Sequence, residues 1–328
     1  MHEDKFKSKN ISVIKKVAVV IPCFNEAESI DELFKQLDSN FLVEDPKCIY
    51  SFILVDDGSV DETWYKISKF SNNRNSRVYG LKLSRNFGHQ KALLAGLEYA
   101  LKTADFIITM DADLQHPIKD ARKMLLLAID RHYNIVLGQR KHDEYSSFFK
   151  KSTSKSFYKL MNYFGVDIVP NVSDFRVMDK ASTEALIDHG DTTFFTRGII
   201  SLIGFSQYIY AYKVEKRFAG ESKYSTRKMI KFASEGITSL SISPLRLTFL
   251  ASLVMFGICG AVLIYVIGSW FSGNIASGWS SIILSIYILF GFNFLLIGIL
   301  GEYIGKIYQQ SLRRPRYIIQ EISLPLTN

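Results

Sequence analysis

The chain has 328 residues, of which 48% are hydrophobic, and a formal net charge of +8. That length allows one large domain with an appendage, or two domains, and the basic balance allows nucleic acid, an anionic membrane surface or a phosphorylated substrate as partner. Its three cysteines, Cys23, Cys48 and Cys259, come with no CxxC or His-rich cluster, which argues against a disulfide framework or a zinc site and suits a reducing compartment.

The first ten residues, MHEDKFKSKN, are polar and charged. They hold no apolar signal-peptide core, so the N-terminal domain is expected in the cytoplasm. Residues 17–140 alternate between short β-branched runs and helical periods. The runs are Val17–Pro22, Ile49–Asp56, Val78–Leu83, Phe106–Met110 and Asn134–Leu137. Ile30, Leu33, Phe34 and Leu37 form a helical face between the first two; Ala92, Leu93, Gly96, Leu97 and Ala100 do so between the third and fourth. Such alternation predicts an α/β domain, a mostly parallel sheet covered on both faces, with its ligand beyond the carboxyl ends of the strands. Polar residues do follow each run: Asn25-Glu26, Asp56-Asp57-Gly58-Ser59, Ser84-Arg85-Asn86, Asp111-Ala112-Asp113-Leu114-Gln115 and Arg140.

Residues 225–246 read as a juxtamembrane amphipathic segment, lying on the bilayer surface or packed on the soluble domain. From Leu247 to Gly301 there is no Asp, Glu, Lys or Arg. One span needs about 20 residues, so this stretch divides into two expected transmembrane helices, at about 247–271 and 282–303, joined by a loop at Ser272–Ser281. Arg227, Lys228, Lys231 and Arg246 precede the pair; Lys306, Arg313, Arg314 and Arg316 follow it. The positive-inside bias puts both termini in the cytoplasm. The expected division is therefore a catalytic domain over 1–224, the juxtamembrane segment, a membrane region over 247–306 and a cytoplasmic tail over 307–328. In that tail Arg316–Leu324 reads as a strand without an obvious partner in its own chain, suited to adding to a neighbour's sheet.

No GxGxxG follows the first run and no GxxxxGK[ST] occurs, so neither a dinucleotide fingerprint nor a P-loop is present. Two acidic pairs stand there instead, Asp56-Asp57 and Asp111/Asp113. Carboxylates spaced i, i+2 at a strand end can share one hard cation with substrate phosphates, and Gln115 can add a neutral oxygen.

The segments VVIPCFNEAESI, ILVDDGSVDET, LSRNFGHQKALLAGL, MDADLQHP and VSDFRVMDK resemble the signature blocks of family 2 glycosyltransferases of GT-A (Rossmann-like) fold. RFAGESKYSTRKMIKF, SISPLRL and the two apolar stretches are similar to the polyprenyl-phosphate branch, of bactoprenol glucosyltransferase type and related to dolichyl-phosphate mannose synthase. The resemblance implies that Pro22, Asn25, Glu26, Asp56 and Asp111 bind the nucleotide, while Asp111, Asp113 and Gln115 hold Mg²⁺ or Mn²⁺. Glu26 can also be read as a first-turn acid, Asp57 as a turn former, and Arg85 and Lys91 as loop supports. Asp174 and Asp113 are the implied catalytic residues; Asp174 either acts near the anomeric carbon or pairs with Arg176. Arg140, Lys150, Ser154, Arg217 and Lys223 are the implied acceptor-phosphate set. The family typically has Arg where Lys150 or Lys151 stands, and a further Arg where this chain reads Lys141-His142-Asp143.

The implied activity is inverting transfer of a sugar, glucose from UDP-glucose, to undecaprenyl phosphate at the cytoplasmic face of a bacterial plasma membrane, by a homotetramer with no nucleic-acid partner. GDP-mannose, UDP-N-acetylglucosamine or a modified pentose donor, or a non-catalytic sugar-nucleotide sensor, are the alternatives. No tryptophan is preceded by Arg, which removes the processive synthases with their QxxRW block.

Overall fold

The computed structural model describes residues 14–41, 47–73, 77–141, 169–189, 196–215, 241, 243–271 and 278–325. All five expected runs are strands: β1 (Lys15–Cys23), β2 (Cys48–Asp56), β3 (Val78–Leu83), β4 (Phe106–Thr109) and β5 (Ile135–Arg140). Helices α1 (Ala27–Phe41), α2 (Thr63–Ser71), α3 (His89–Ala100) and α4 (Ile118–Arg131) lie between them in sequence. Then come β6 (Val172–Asp179), α5 (Lys180–Asp188), α6 (Thr196–Leu202) and β7 (Gln207–Tyr212).

The sheet has eight strands in the order β7-β5-β6-β4-β1-β2-β3-β8, with β8 formed by Ile319–Ser323. β1 pairs in parallel with β2 and β4, β2 with β3, and β5 with β7. β6 runs antiparallel between β4 and β5. The carboxyl ends of β1 to β5 therefore share one edge, and β6 presents its start there. This reversal brings the SDFR run to the edge where the loaded loops gather.

Helices on both faces explain why β1 is buried continuously from Val17 to Cys23 instead of alternating. Ile30, Leu33, Phe34 and Leu37 on α1 are buried, as are Ala92, Leu93, Gly96, Leu97 and Ala100 on α3. Burying one Leu or Ile side chain is worth roughly 1.5–3 kcal/mol. Gly96 sits where a Cβ would come within 2.3 Å of Val20 Cγ1, so its missing side chain lets α3 close on β1.

The C-terminal strand corrects one expectation. β8 has a partner in its own chain: it pairs antiparallel with β3, Leu81 facing Ile322. Side chains fasten it: Trp64 Nε1 donates to Glu321 Oε2 (3.1 Å), and the Tyr317 hydroxyl donates to the Glu98 carboxylate. The partner strand lies more than two hundred residues back, which local pattern cannot reveal.

By contact density the chain forms two compact units. One holds residues 1–151, 168–223 and 315–328; the other holds 152–167 and 224–314. The second contains α7 (Ser243–Phe271) and α8 (Trp279–Ser311), which contact each other. Both are long and apolar enough to cross a membrane. Phe249, Phe256, Ile264, Phe290 and Phe294 are exposed on them, an apolar surface suited to lipid. Both helices overrun the expected spans: α7 starts at Ser243-Pro244, with Pro in the first turn, and α8 begins inside the expected loop. The expected amphipathic segment over 225–240 lies outside the described residues.

Candidate active site

Two loops build the first wall. After β1 the chain turns at Asn25, whose φ of +53° lies in the left-handed region. Asn25 Oδ1 accepts from the Val60 amide (3.0 Å), and Ser59 Oγ accepts from the Asn25 amide (2.9 Å). The Glu26 amide donates to Thr63 Oγ1 (2.9 Å), and Ser29 Oγ donates to Glu26 Oε2 (2.9 Å). Asn25 and Glu26 thus join the β1 loop to the β2 loop and to the start of α1, next to the buried Pro22. Asp56, at the end of β2, is 0% exposed. Its Oδ1 accepts from the Ser59 amide (3.1 Å), while its buried Oδ2 has no hydrogen-bond partner. Burial pushes its pKa up, and the Ser59 hydrogen bonds and Lys82 offset part of that.

Asp57 turns away from this wall. Its two oxygens accept from the amides of Phe87 (2.7 Å) and Gly88 (2.9 Å), so it clasps the loop that leads into α3. Gly58 permits the clasp: a Cβ there would stand 2.4 Å from the Arg85 carbonyl carbon, and its φ is +69°. The Arg85 guanidinium lies over the Phe87 ring (4.3 Å), which makes it a loop support.

The DADLQ run follows β4. Leu114, buried and with φ +59°, puts a tight left-handed turn inside it. Asp113 Oδ1 accepts from the Gln115 amide (3.2 Å). His116 is buried and braces the run. Its Nδ1 accepts from the Asp111 amide (3.1 Å), and its ring stacks on Phe175 at 4.8 Å and 8°. Burial lowers its pKa, so Nε2 carries the proton of a neutral ring. The donors offered by Asp111, Asp113 and Gln115 are all oxygen, and no group of three or more His, Cys, Asp or Glu suited to a metal exists among the described residues. Two carboxylates and an amide oxygen fit a hard divalent ion that completes its shell with phosphates and water, as magnesium does.

Asp174, 6% exposed, sits near the start of β6. Its Oδ1 accepts from Arg176 and lies 3.2 Å from Thr196 Oγ1. Its Oδ2 accepts from Gln90 Nε2 (3.0 Å) and lies 3.3 Å from His89 Nε2 and 3.6 Å from Arg197 Nη2. Burial opposes the charge, but Arg197, Arg176 and then His89 outweigh it and hold the carboxyl well below the usual range. A carboxylate so engaged is a weak proton acceptor. His89 also lies 3.6 Å from Asp111 Oδ1. Burial pulls its imidazole down, yet the hydrogen bond to Asp174 and the charges of Asp111 and Asp174 push it up to about 9.

Arg140 ends β5, paired with Tyr212 of β7, and its buried Nε has no hydrogen-bond partner. Tyr212 Oη lies 2.9 Å from Ser173 Oγ. Lys150, Ser154, Arg217 and Lys223 lie outside the described residues. Sequence reasoning missed His89, Gln90, Thr196 and Arg197. The first two open a helical period directly after a polar loop, a signal that could have found them. Thr196 and Arg197 reach Asp174 only through the packing of α6 on β6, which leaves no local trace.

The Glycosyl transferase family 2 model matches residues 18–202, more than half of the chain. The chain belongs to glycosyltransferase family 2. The enzyme is 41% identical over 311 residues to the uncharacterized glycosyltransferase YkoT of Bacillus subtilis (92% of this chain, 90% of the relative). It is 34% identical over 315 residues to the prophage bactoprenol glucosyl transferase homolog of Escherichia coli (94% and 99%), and 34% identical over 312 residues to the bactoprenol glucosyl transferase of Shigella phage SfV (93% and 98%). Among solved structures, it is similar to mannosyl-3-phosphoglycerate synthase from Rubrobacter xylanophilus, with TM-score 0.48, 15% identity and coverage of 71% and 74%. This glycosyltransferase has a GT-A-type sheet domain, followed by two apolar helices of membrane-spanning length.

Proposed function

We propose that the enzyme transfers glucose from UDP-glucose to undecaprenyl phosphate with inversion, at the cytoplasmic face of a bacterial plasma membrane, as a homo-oligomer of four copies. The observation that carries this reading is the gathering of Asp56, Asp111, Asp113, Asp174 and Arg140 at one sheet edge, with a buried Asp56 oxygen and a buried Arg140 Nε both unpartnered. The names of the bactoprenol glucosyl transferase relatives, aligned over nearly the whole chain, support the lipid acceptor.

In this reading Asp56 Oδ2 accepts from the uracil N–H or a ribose hydroxyl. Pro22, Asn25 and Glu26 shape the same pocket through their loop contacts. Asp111, Asp113 and Gln115 would hold Mg²⁺ or Mn²⁺, which when bound would supply positive charge to offset that of the leaving nucleotide. Arg140, with Lys150, Ser154, Arg217 and Lys223, receives the acceptor phosphate; Arg offers a fork of donors, Lys a point charge. A phosphate monoester, with a second pKa near 6, is ionised at neutral pH and needs no strong base. Asp174, held anionic by its arginines, orients the sugar or the acceptor. The attacking phosphate oxygen forms its bond to the anomeric carbon as the nucleoside diphosphate departs from the opposite side, so an α-linked donor gives a β-linked product. Two spans keep the chain at the bilayer, with both termini cytoplasmic, where the lipid phosphate resides.

The test is direct. Detergent-purified enzyme is incubated with undecaprenyl phosphate, Mg²⁺ or Mn²⁺ and a panel of radiolabelled nucleotide sugars. Label from UDP-glucose should enter the organic phase and vanish with EDTA. Label from another donor overturns the sugar assignment, and no label from any donor, with folded protein, overturns the acceptor.

A further inference from the structure

We propose that His89 is a positioning residue for transfer: its imidazole ties Asp111 of the DADLQ run to Asp174 of the SDFR run and sets the gap in which donor and acceptor meet. The inference rests on the reading above, and deepens it.

The geometry comes from three directions. His89 Nε2 stands 3.3 Å from Asp174 Oδ2 and 3.6 Å from Asp111 Oδ1, so a single nitrogen contacts both carboxylates. These acids belong to β6 and to the loop after β4, elements far apart in sequence. The side chain is 43% exposed, so it faces open space and is not a core filler. Its backbone is anchored from behind. α3 starts at His89 after Gly88, whose φ is +96°, and Asp57 accepts both the Phe87 and Gly88 amides. The next residue strengthens the same arm: Gln90 Nε2 donates to Asp174 Oδ2 (3.0 Å), and Gln90 Oε1 accepts from Thr196 Oγ1 (3.0 Å). The first turn of α3 thus directs two donors at one oxygen of Asp174. With the imidazole removed, Asp111 and Asp174 lose the group between them, and two carboxylates of like charge move apart. His89 acts through these acids; it is assigned no bond to substrate.

The experiment compares full-length wild type, His89→Ala and His89→Gln in detergent. The glutamine amide nitrogen can reach the place of the imidazole Nε2. Lipid transfer and UDP release from UDP-glucose with water as acceptor are both followed, beside UDP affinity by calorimetry and Tm. His89→Ala should lower kcat in both assays about 100-fold, the scale for losing one preorganised donor. UDP affinity should fall far less than kcat, by about tenfold at most through the shift of Asp111, and Tm should stay within about 2 °C, because the exposed ring is no part of the core. His89→Gln should recover at least about tenfold of the lost rate, as a donor at the same reach restores the tie. Wild-type kcat in His89→Ala overturns the proposal. So does a loss of Tm without rescue by Gln, or a fall in UDP affinity matching the fall in rate. Wild-type enzyme that releases UDP but labels no lipid refutes the acceptor reading, and the water reaction then still decides on His89.

Discussion

At Asp56 the β1–β2 side of the sheet buries a carboxylate and leaves one oxygen without a partner; at Asp174 the β6 side buries another and surrounds it with Arg176, Thr196, Gln90, His89 and Arg197. Both acids stand at the same edge of one sheet, and their pKa values move in opposite directions. Burial alone raises a carboxyl, and only neighbouring cations or donors reverse that. The difference separates two kinds of buried acid. Asp56 is an open acceptor that a ligand can complete, and its burial opposes folding until one does. Asp174 is complete within the protein.

Four experiments break or sharpen this contrast. The largest effect belongs to neither acid but to the run between them. Asp111→Ala or Asp113→Ala should lower transfer by more than about 10³-fold with Tm unchanged, as expected for loss of a charge-stabilising ion; substantial activity in either would remove the metal from the mechanism. Asp174→Asn comes next. It leaves Arg176 and Arg197 facing a neutral amide, which should destabilise the fold by about 3–5 kcal/mol and suppress kcat. Urea melts should show part of that stability return in Asp174→Asn with Arg176→Met, without activity. A single mutant as stable as wild type would mean that the cluster is not a structural unit.

Asp56→Asn should act the other way. Calorimetry should find UDP affinity reduced about tenfold, in the range of one hydrogen bond to a charged group. The empty protein should be no less stable than wild type, since a buried charge has gone. The smallest effect is in pH dependence. For Asp56 the folded protein binds more protons than the unfolded chain between the ordinary carboxylate pKa and the raised one, so its contribution to stability falls as pH rises through that window. For Asp174 the contribution is present above the ordinary value and is lost as pH falls toward its depressed pKa. Urea midpoints from about pH 3 to 7, compared with each Asn variant, should therefore diverge in opposite senses. Parallel curves would erase the distinction.

The sequence by itself determined the parallel half of the sheet and the chemistry of its edge. β1 to β5 are β-branched runs whose faces are both covered, so each announces itself locally, and the loops after them must carry what the edge binds. The apolar stretch from Leu247 announced two long helices for the same reason: length and absence of charge are local properties. Only the tertiary structure decided the rest. The reversal of β6 puts Asp174 at the edge where the polar loops gather, and the packing of α3 and α6 brings His89, Gln90, Thr196 and Arg197 to it. The pairing of β8 with β3 of its own chain likewise joins segments separated by most of the sequence. Strand direction, pairing partner and the company of a buried charge are set by contacts between distant residues, and no local period records them.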